Sequence, residues 1–200
     1  MLVGRLGMTA EAAAKVVLRS DDNGPGSSWD YDVVGVLNPF LEALATYQVS
    51  EAQARAIITG NPSLLRRSEK LIPEKIEVLL SLGVPEDRVG RVLSMCPQIL
   101  NYTTDALRAS VMFLQHDVGL DDVQVTRLLS SFPRVLVYSG AENMVPKIRL
   151  LRTLGWSRAD VAKTVAKFPQ IFGMTLENIM GQVAAILRWG LSLDQVTHTL

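Results

Sequence analysis

Phe132-Pro133-Arg134-Val135-Leu136 is the stretch that decides the fold, because the chain repeats its form three more times. The other copies are Asn61-Pro62-Ser63-Leu64-Leu65, Cys96-Pro97-Gln98-Ile99-Leu100 and Phe168-Pro169-Gln170-Ile171-Phe172, and the four prolines are 35, 36 and 36 residues apart. Self-similarity at such a period is typical of a solenoid built from one stacked supersecondary unit. Because proline lacks an N–H and its ring clashes with the preceding turn, each copy predicts the end of a helix.

A second landmark lies 14 residues before each of the last three prolines, at Gly83, Gly119 and Gly155. Gly190 continues the series, Gln48 takes this place before Pro62, and Gly7 begins an earlier, more divergent copy. The glycines predict left-handed residues that end the second helix of each unit. N-cap residues two positions later, each with a capping-box partner three residues further on, predict where the next first helix begins. These pairs are Ser50 with Gln53, Asp121 with Gln124, and Ser157 with Asp160.

Apolar residues recur with helical spacing on both helices of each unit. Positions six, nine and ten after the landmark form the predicted first-helix stripe: Ala54, Ile57, Ile58, Val89, Val92, Leu93, Val125, Leu128, Leu129, Val161, Thr164 and Val165. Positions seven, four and one before the next landmark form the predicted second-helix stripe: Ile76, Leu79, Leu82, Met112, Gln115, Val118, Ile148, Leu151, Leu154, Val183, Ile186 and Trp189. We expect the residues after each proline to enter the core as a short 3₁₀ turn.

These patterns predict an all-α protein, a right- or left-handed α-solenoid of repeats of about 35 residues. Each repeat has two α-helices and a short 3₁₀ turn, and a single array spans residues 1–200. A divergent unit covers residues 1–47, with a loop at 21–30. Regular units cover 48–82, 83–118, 119–154 and 155–189, and a further unit starts at 190–200.

Composition limits the classes of function. Lys and Arg equal Asp and Glu at 20 each, so the zero net charge does not by itself indicate a nucleic-acid partner. One cysteine, Cys96, excludes an internal disulfide, and with His116 and His198 it is too little for a typical zinc site. No catalytic constellation or phosphate loop is present. We therefore expect no enzyme activity, metal, cofactor, small-molecule substrate or membrane partner, and the N-terminal stretch shows no signal or transit peptide.

The combination of Leu82-Gly83, a capped helix and then Cys96-Pro97-Gln98-Ile99-Leu100 resembles the mitochondrial transcription termination factor (mTERF) family. Leu154-Gly155 followed by Phe168-Pro169-Gln170-Ile171-Phe172 is more similar still. The resemblance covers residues 48–190 well and 1–47 loosely. It implies three-helix units in a left-handed superhelix, residence in the mitochondrion or alternatively the chloroplast, and nucleic-acid binding along a basic concave groove. Family members act on organellar transcription, RNA splicing or ribosome assembly.

Basic residues recur at position eight after the landmark, which lies roughly opposite the first-helix stripe. They are Lys15, Arg91, Arg127 and Lys163, and Ala56 is the exception. Arg88, Lys167 and Arg134 are further candidates on the exposed side, and Lys147, Arg149 and Arg152 form a second cluster, predicted to face away from the Ile148 and Leu151 stripe. A row of such cations can follow a phosphate backbone. The alternative is that they are ordinary exposed helix residues that confer solubility.

Two functions remain open from these residues. The first is a non-enzymatic organellar protein that binds RNA or duplex DNA through backbone and shape. The second is a structural or protein-binding scaffold in a larger assembly such as the mitochondrial ribosome, contacting rRNA and proteins. Pairing of Arg91, Arg127 and Lys163 with acids such as Glu86 and Asp122 would favour the scaffold. Tyr102, Tyr138 and Trp156 either stack on bases or pack at repeat junctions.

Overall fold

The computed structural model of this chain describes Gly7 and residues 33–66, 71–138 and 141–190. These residues contain helices and turns and no strand, which confirms the all-α prediction. The predicted loop at 21–30, Lys15, His198 and most of the unit predicted at 190–200 lie outside the described residues. The chain divides after Thr104 into two compact halves. We call these halves the first unit and the second unit, and from here on we call each of the shorter sequence units defined above a repeat.

Helices of about three turns alternate with short proline-led segments in both units. In the first unit they are α1 (Val33–Thr46), α2 (Glu51–Gly60), the 3₁₀ turn Pro62–Arg66, α3 (Leu71–Ser81), α4 (Glu86–Met95) and the 3₁₀ turn Pro97–Asn101. In the second unit they are α5 (Thr104–Phe113) with the π-helical turn Leu114–Val118, α6 (Asp122–Ser131), α7 (Val135–Tyr138), α8 (Ala141–Thr153), α9 (Arg158–Lys167), the 3₁₀ turn Pro169–Gly173 and α10 (Leu176–Arg188). Helix α5 begins at the last residue of the first unit.

Three first helices begin where their capping boxes predict, whereas α4 begins after Pro85, which forms no side-chain cap. The Ser50 hydroxyl accepts from the Gln53 N–H while the Gln53 side chain accepts from the Ser50 N–H. The same reciprocal pair opens α6 at Asp121 and α9 at Ser157. These bonds satisfy N–H groups that have no partner inside the helix. The predicted first-helix stripe is buried at every position that the structure describes, and its earliest copy, Ala13, Val16 and Val17, lies outside the described residues.

The landmark residues have the left-handed conformation that ends the second helices. The φ angles are 89° at Gly83, 92° at Gly119, 94° at Gly155 and 81° at Gly190. Gln48, with φ of 57°, is the one described residue other than glycine with a positive φ. A side chain with a Cβ pays about 1–2 kcal/mol in this region, which explains why glycine fills the other landmarks.

The predicted second-helix stripe is wrong in the repeat that ends at Gly119. Met112 is 57% exposed, and Val111 and Leu114 are buried instead, together with Val118. The physical reason is the π-helical turn Leu114–Val118. A π turn holds an extra residue, so the buried face moves by one position relative to a regular α-helix.

The last residue of the stripe is also predicted wrongly, because Trp189 is 81% exposed. Leu82 and Leu154, which occupy the same position before their glycines, are only half-buried. This position therefore lies at the edge of the stripe, where a bulky indole remains in contact with solvent.

The segments after three of the four prolines are 3₁₀ turns, as predicted. The segment after Pro133 is not, because Val135–Tyr138 is a short α-helix. The Arg134 carbonyl accepts from the Val137 N–H at 3.0 Å and from the Tyr138 N–H at 3.1 Å. The second bond closes an α-helical turn, which is wider than a 3₁₀ turn. The segment after Pro133 still packs in the core. Val135 and Leu136 are buried there.

Candidate nucleic-acid interface

Eight of the nine predicted nucleic-acid contacts are on the surface. They are Arg88, Arg91, Arg127, Arg134, Arg149, Arg152, Lys163 and Lys167. Five of these residues are on first helices, which also supply the buried stripe. Their exposure follows from the helical period, which turns position eight away from the core.

Arg127 and Lys163 are the two candidates that the second unit places at equivalent positions on neighbouring helices. Arg127 lies on α6 and Lys163 on α9, and these two helices are in contact. Neither cation forms an ion pair within the part of the chain that the structure describes. The Asp122 carboxylate accepts from Gln115 Nε2 at 2.8 Å instead. The side chains of Arg127 and Lys163 are therefore free to contact a ligand.

The first unit offers a weaker arrangement on α4. Arg88 Nε lies 3.4 Å from Asp87 Oδ2, and both side chains are at least half exposed. Such an exposed pair contributes little to stability, but it partly neutralises the cation. Arg91 is exposed, and the equivalent residue of the contacting helix α2 is Ala56. Among the described residues, the first unit therefore has one cation at this position, where the second unit has two.

Charge is distributed unevenly between the two units. Residues 33–104 contain seven Arg and Lys and seven Asp and Glu, for a net charge of zero. Residues 105–190 contain ten Arg and Lys and seven Asp and Glu, for a net charge of +3. The excess is concentrated in residues 147–167, which hold six basic residues and one acidic residue, Asp160. An anionic partner is attracted more strongly to the second unit.

Lys147 is the candidate that the structure does not bring to the surface, so its predicted exposure is wrong. Only 6% of the residue is exposed. Its Nζ donates to the Phe172 carbonyl at 2.6 Å and to Asn143 Oδ1. Burial lowers the pKa of this ammonium because desolvation disfavours the charged form. The sequence contains a signal for this placement: Lys147 lies four residues before Leu151, and residues at this spacing share a helix face.

Arg158 is a further cation that sequence reasoning missed. It lies in the first turn of α9, where the helix dipole disfavours a positive charge. Its Nη2 donates to the carbonyl of His116 and, at 3.5 Å, to that of Gln115. A Cβ on Gly119 would lie 2.8 Å from its Nε. The guanidinium thus satisfies carbonyls at the end of the π turn, and glycine leaves room for it.

The aromatic candidates differ in their access to solvent. Trp156 is 3% exposed, so it packs in the core and is not available to stack on a base. Tyr102 and Tyr138 are half-buried, and the Tyr138 ring centroid lies 6.3 Å from that of Phe132. Of the three, only the two tyrosines present part of a ring to a ligand.

Three observations bear on other classes of function. Cys96 is buried, and a cysteine in the core packs as a small apolar residue. No group of three or more His, Cys, Asp and Glu side chains that could hold a metal ion occurs among the described residues. In the same part of the chain, no helix is long and apolar enough to cross a bilayer.

Comparison with known proteins gives one positive result. A family model, described as mTERF, matches residues 4–197, which is nearly the whole chain. The comparison with curated proteins found no match. The family match agrees with the resemblance that the proline and glycine motifs indicated.

Proposed function

Since this chain belongs to the mTERF family, whose members are organellar and generally non-enzymatic nucleic-acid binders, we propose that it binds RNA or duplex DNA through the exposed cations of the second unit. The proposed role is in transcription, RNA processing or ribosome function in the mitochondrion or the chloroplast. We further propose that its repeats of about 35 residues stack as a left-handed solenoid.

One observation carries this proposal: Arg127 and Lys163 are exposed, form no ion pair with a described residue and are equivalently placed on the contacting helices α6 and α9. Lys167 follows Lys163 by four residues, so both share one face of α9. Long cationic side chains on adjacent helices contact phosphates of a strand and release condensed counterions. Such contacts determine position and orientation on the nucleic acid without reading base edges, so the binding depends on backbone and shape.

A salt titration tests the proposal. The affinity for a structured RNA and for a duplex DNA is measured by fluorescence anisotropy over a range of salt concentrations. We expect log K to fall linearly with log salt, with a slope of about −0.9 for each phosphate neutralised on a duplex. An affinity that does not change with salt would exclude phosphate contacts as its source. The ratio of the RNA and DNA affinities identifies the preferred nucleic acid.

A scaffold function is the second candidate, and exposed apolar residues on α10 and just after it support it. Met180 is 56% exposed, and Trp189, one residue after α10, is 81% exposed. Large apolar side chains in solvent are typical of protein interfaces. The test is to isolate the native protein with and without nuclease treatment. Protein partners that survive nuclease support the scaffold function, and partners that are lost support binding through nucleic acid.

A further inference from the structure

A pocket of about 300 Å³ opens on the second unit beside Lys147. Its lining includes Tyr138, Asn143, Lys147, Phe172, Thr175 and Leu176. The volume is at the lower end of the range for small-ligand sites. None of the exposed candidate cations described above lines this pocket, so it is a separate site from the surface of α6 and α9.

The buried ammonium of Lys147 has no compensating negative charge among the side chains that the structure describes. Its two hydrogen-bond acceptors, the Phe172 carbonyl and Asn143 Oδ1, are both neutral. No carboxylate of the described residues forms an ion pair with it. An ammonium has three N–H donors, so one remains for a ligand. A buried charge is costly unless a counter-charge pairs with it, so an anion in the pocket would be held strongly.

The start of α10 adds further donors to the same pocket. Thr175 caps this helix of 13 residues by accepting from the Asn178 N–H at 3.2 Å, and Leu176 is its first residue. Amides in the first turn of a helix lack partners within the helix, and the helix dipole favours an anion beside them. Glu177 lies in this turn but is exposed and does not line the pocket. Tyr138 also lines the pocket, and its hydroxyl would lie 3.4 Å from a Cβ on Gly173, another lining residue.

We propose that this pocket binds a phosphate group, with the third N–H of Lys147, the Tyr138 hydroxyl and the first amides of α10 as its donors. The ligand supplies the negative charge that the buried ammonium lacks. The same chemistry serves free phosphate and a phosphate at the end of a nucleic-acid strand. If the ligand is a strand-end phosphate, the inference rests on the proposed function. If the ligand is free phosphate, the inference is independent of the proposed function.

The first unit contains a matched control for the buried ammonium. Lys75 lies eight residues before Gly83, as Lys147 does before Gly155, and it is also buried. Its Nζ is 3.7 Å from Glu74 Oε1. Because a carboxylate already lies beside this ammonium, we expect Lys75 to have no need for an external anion.

The first experiment titrates inorganic phosphate into ¹⁵N-labelled protein at constant ionic strength, with chloride as the balancing anion. We expect saturable shifts of the Leu176 and Glu177 amide signals. Lys147→Met should weaken binding by at least about tenfold, because a charge-assisted bond is lost. Tyr138→Phe should weaken it several-fold while leaving the ammonium in place, and Lys75→Met should bind as the wild type does. Shifts that do not saturate overturn the proposal. It is also overturned if wild type, Tyr138→Phe and Lys147→Met all bind phosphate with the same affinity.

The second experiment distinguishes the two sources of phosphate. A short single-stranded RNA with a 5′-phosphate is compared with the same RNA ending in a 5′-hydroxyl, in wild type and Lys147→Met. A preference for the phosphorylated strand that needs Lys147 identifies strand ends as the ligand. No preference, together with saturable binding of inorganic phosphate, identifies free phosphate. If neither form of phosphate binds, the pocket proposal fails. The proposed function is tested separately, by the salt dependence of binding through Arg127 and Lys163, and that result would still stand.

Discussion

Lys75 in the first unit and Lys147 in the second unit occupy the same position relative to their glycines, and both are buried, yet their surroundings differ. Glu74 precedes Lys75 and lies beside its ammonium at 3.7 Å. Pro146 precedes Lys147 and carries no charge, and the ammonium donates to the Phe172 carbonyl and Asn143 instead. Position in the repeat thus determines burial, whereas the neighbouring residues determine whether the charge is compensated.

The surfaces of the two units differ in a related way. The first unit is neutral over residues 33–104, with one exposed cation, Arg91, at position eight. The second unit has a net charge of +3 over residues 105–190 and presents Arg127 and Lys163 there. A common helical framework therefore has no net charge over residues 33–104 and a net positive charge over residues 105–190. The four predictions that follow test this comparison.

The largest expected effect is on the shared core. Leu93 and Leu129 are both fully buried at position ten of their repeats. Replacing either by Ala should lower the free energy of unfolding by about 2–5 kcal/mol, because the side chain leaves a cavity. Chemical denaturation followed by circular dichroism measures the change. A loss below about 1 kcal/mol at only one site would show that the two units do not use this position alike.

The landmark glycines provide the next comparison, this time within the second unit. A Cβ at Gly155 meets nothing within 4 Å, whereas a Cβ at Gly119 meets Arg158. Gly155→Ala should cost about 1–2 kcal/mol of stability from backbone strain alone. Gly119→Ala should cost about 0.5–1.5 kcal/mol more, because it displaces the Arg158 hydrogen bonds.

A double-mutant cycle provides the control for this second prediction. In an Arg158→Ala background the two glycine substitutions should have equal effects on the free energy of unfolding. A difference that persists without Arg158 would mean that the guanidinium is not its cause.

The buried ammonium of Lys147 predicts a dependence of stability on pH. Its folded-state pKa is lowered from 10.5 by burial, whereas the unfolded chain keeps the ordinary value. Between these two values the unfolded state binds more protons, so the free energy of unfolding rises with pH. Wild type should therefore gain stability relative to Lys147→Met as pH rises toward 10.5. Leu129→Ala keeps the ammonium and should retain the wild-type slope, and identical slopes in all three proteins would contradict the assignment.

The smallest effect on stability is expected at the surface cations. Arg127→Ala should change the free energy of unfolding by less than about 0.5 kcal/mol, because the side chain is exposed. It should nevertheless weaken nucleic-acid binding and reduce the magnitude of the salt slope by about one. Arg91→Ala should reduce binding less, since no second cation is adjacent on α2. The measurement is the salt titration described above, and equal losses at both sites would remove the distinction between the units.

Much of the fold could be predicted because it depends on local interactions. Capping boxes join residues three apart, and the apolar stripes follow the helical period, so Ser50, Gly83 and Leu129 occupy the predicted places. Met112 was predicted wrongly because a π turn changes the local number of residues per turn, and no residue type specifies that change.

The candidate site could be predicted only in part. The exposure of Arg127 and Lys163 follows from their spacing to the buried stripe, which the sequence contains. The backbone partners of Lys147 and Arg158 do not, because the Phe172 and His116 carbonyls lie 25 and 42 positions away along the chain. Chain folding alone brings such groups together, so no local pattern predicts them.

The sequence by itself determined the helices, their ends, the buried stripes and the basic residues at position eight, because each depends on spacings of a few residues. The tertiary structure decided what the buried ammonium of Lys147 contacts, since the Phe172 carbonyl lies 25 residues away along the chain. The tertiary structure also forms the pocket beside Lys147, because the pocket walls come from α7, α8, the 3₁₀ turn Pro169–Gly173 and α10. Contacts such as that between Lys147 and the Phe172 carbonyl depend on which distant residues pack together, and that is a property of the folded chain.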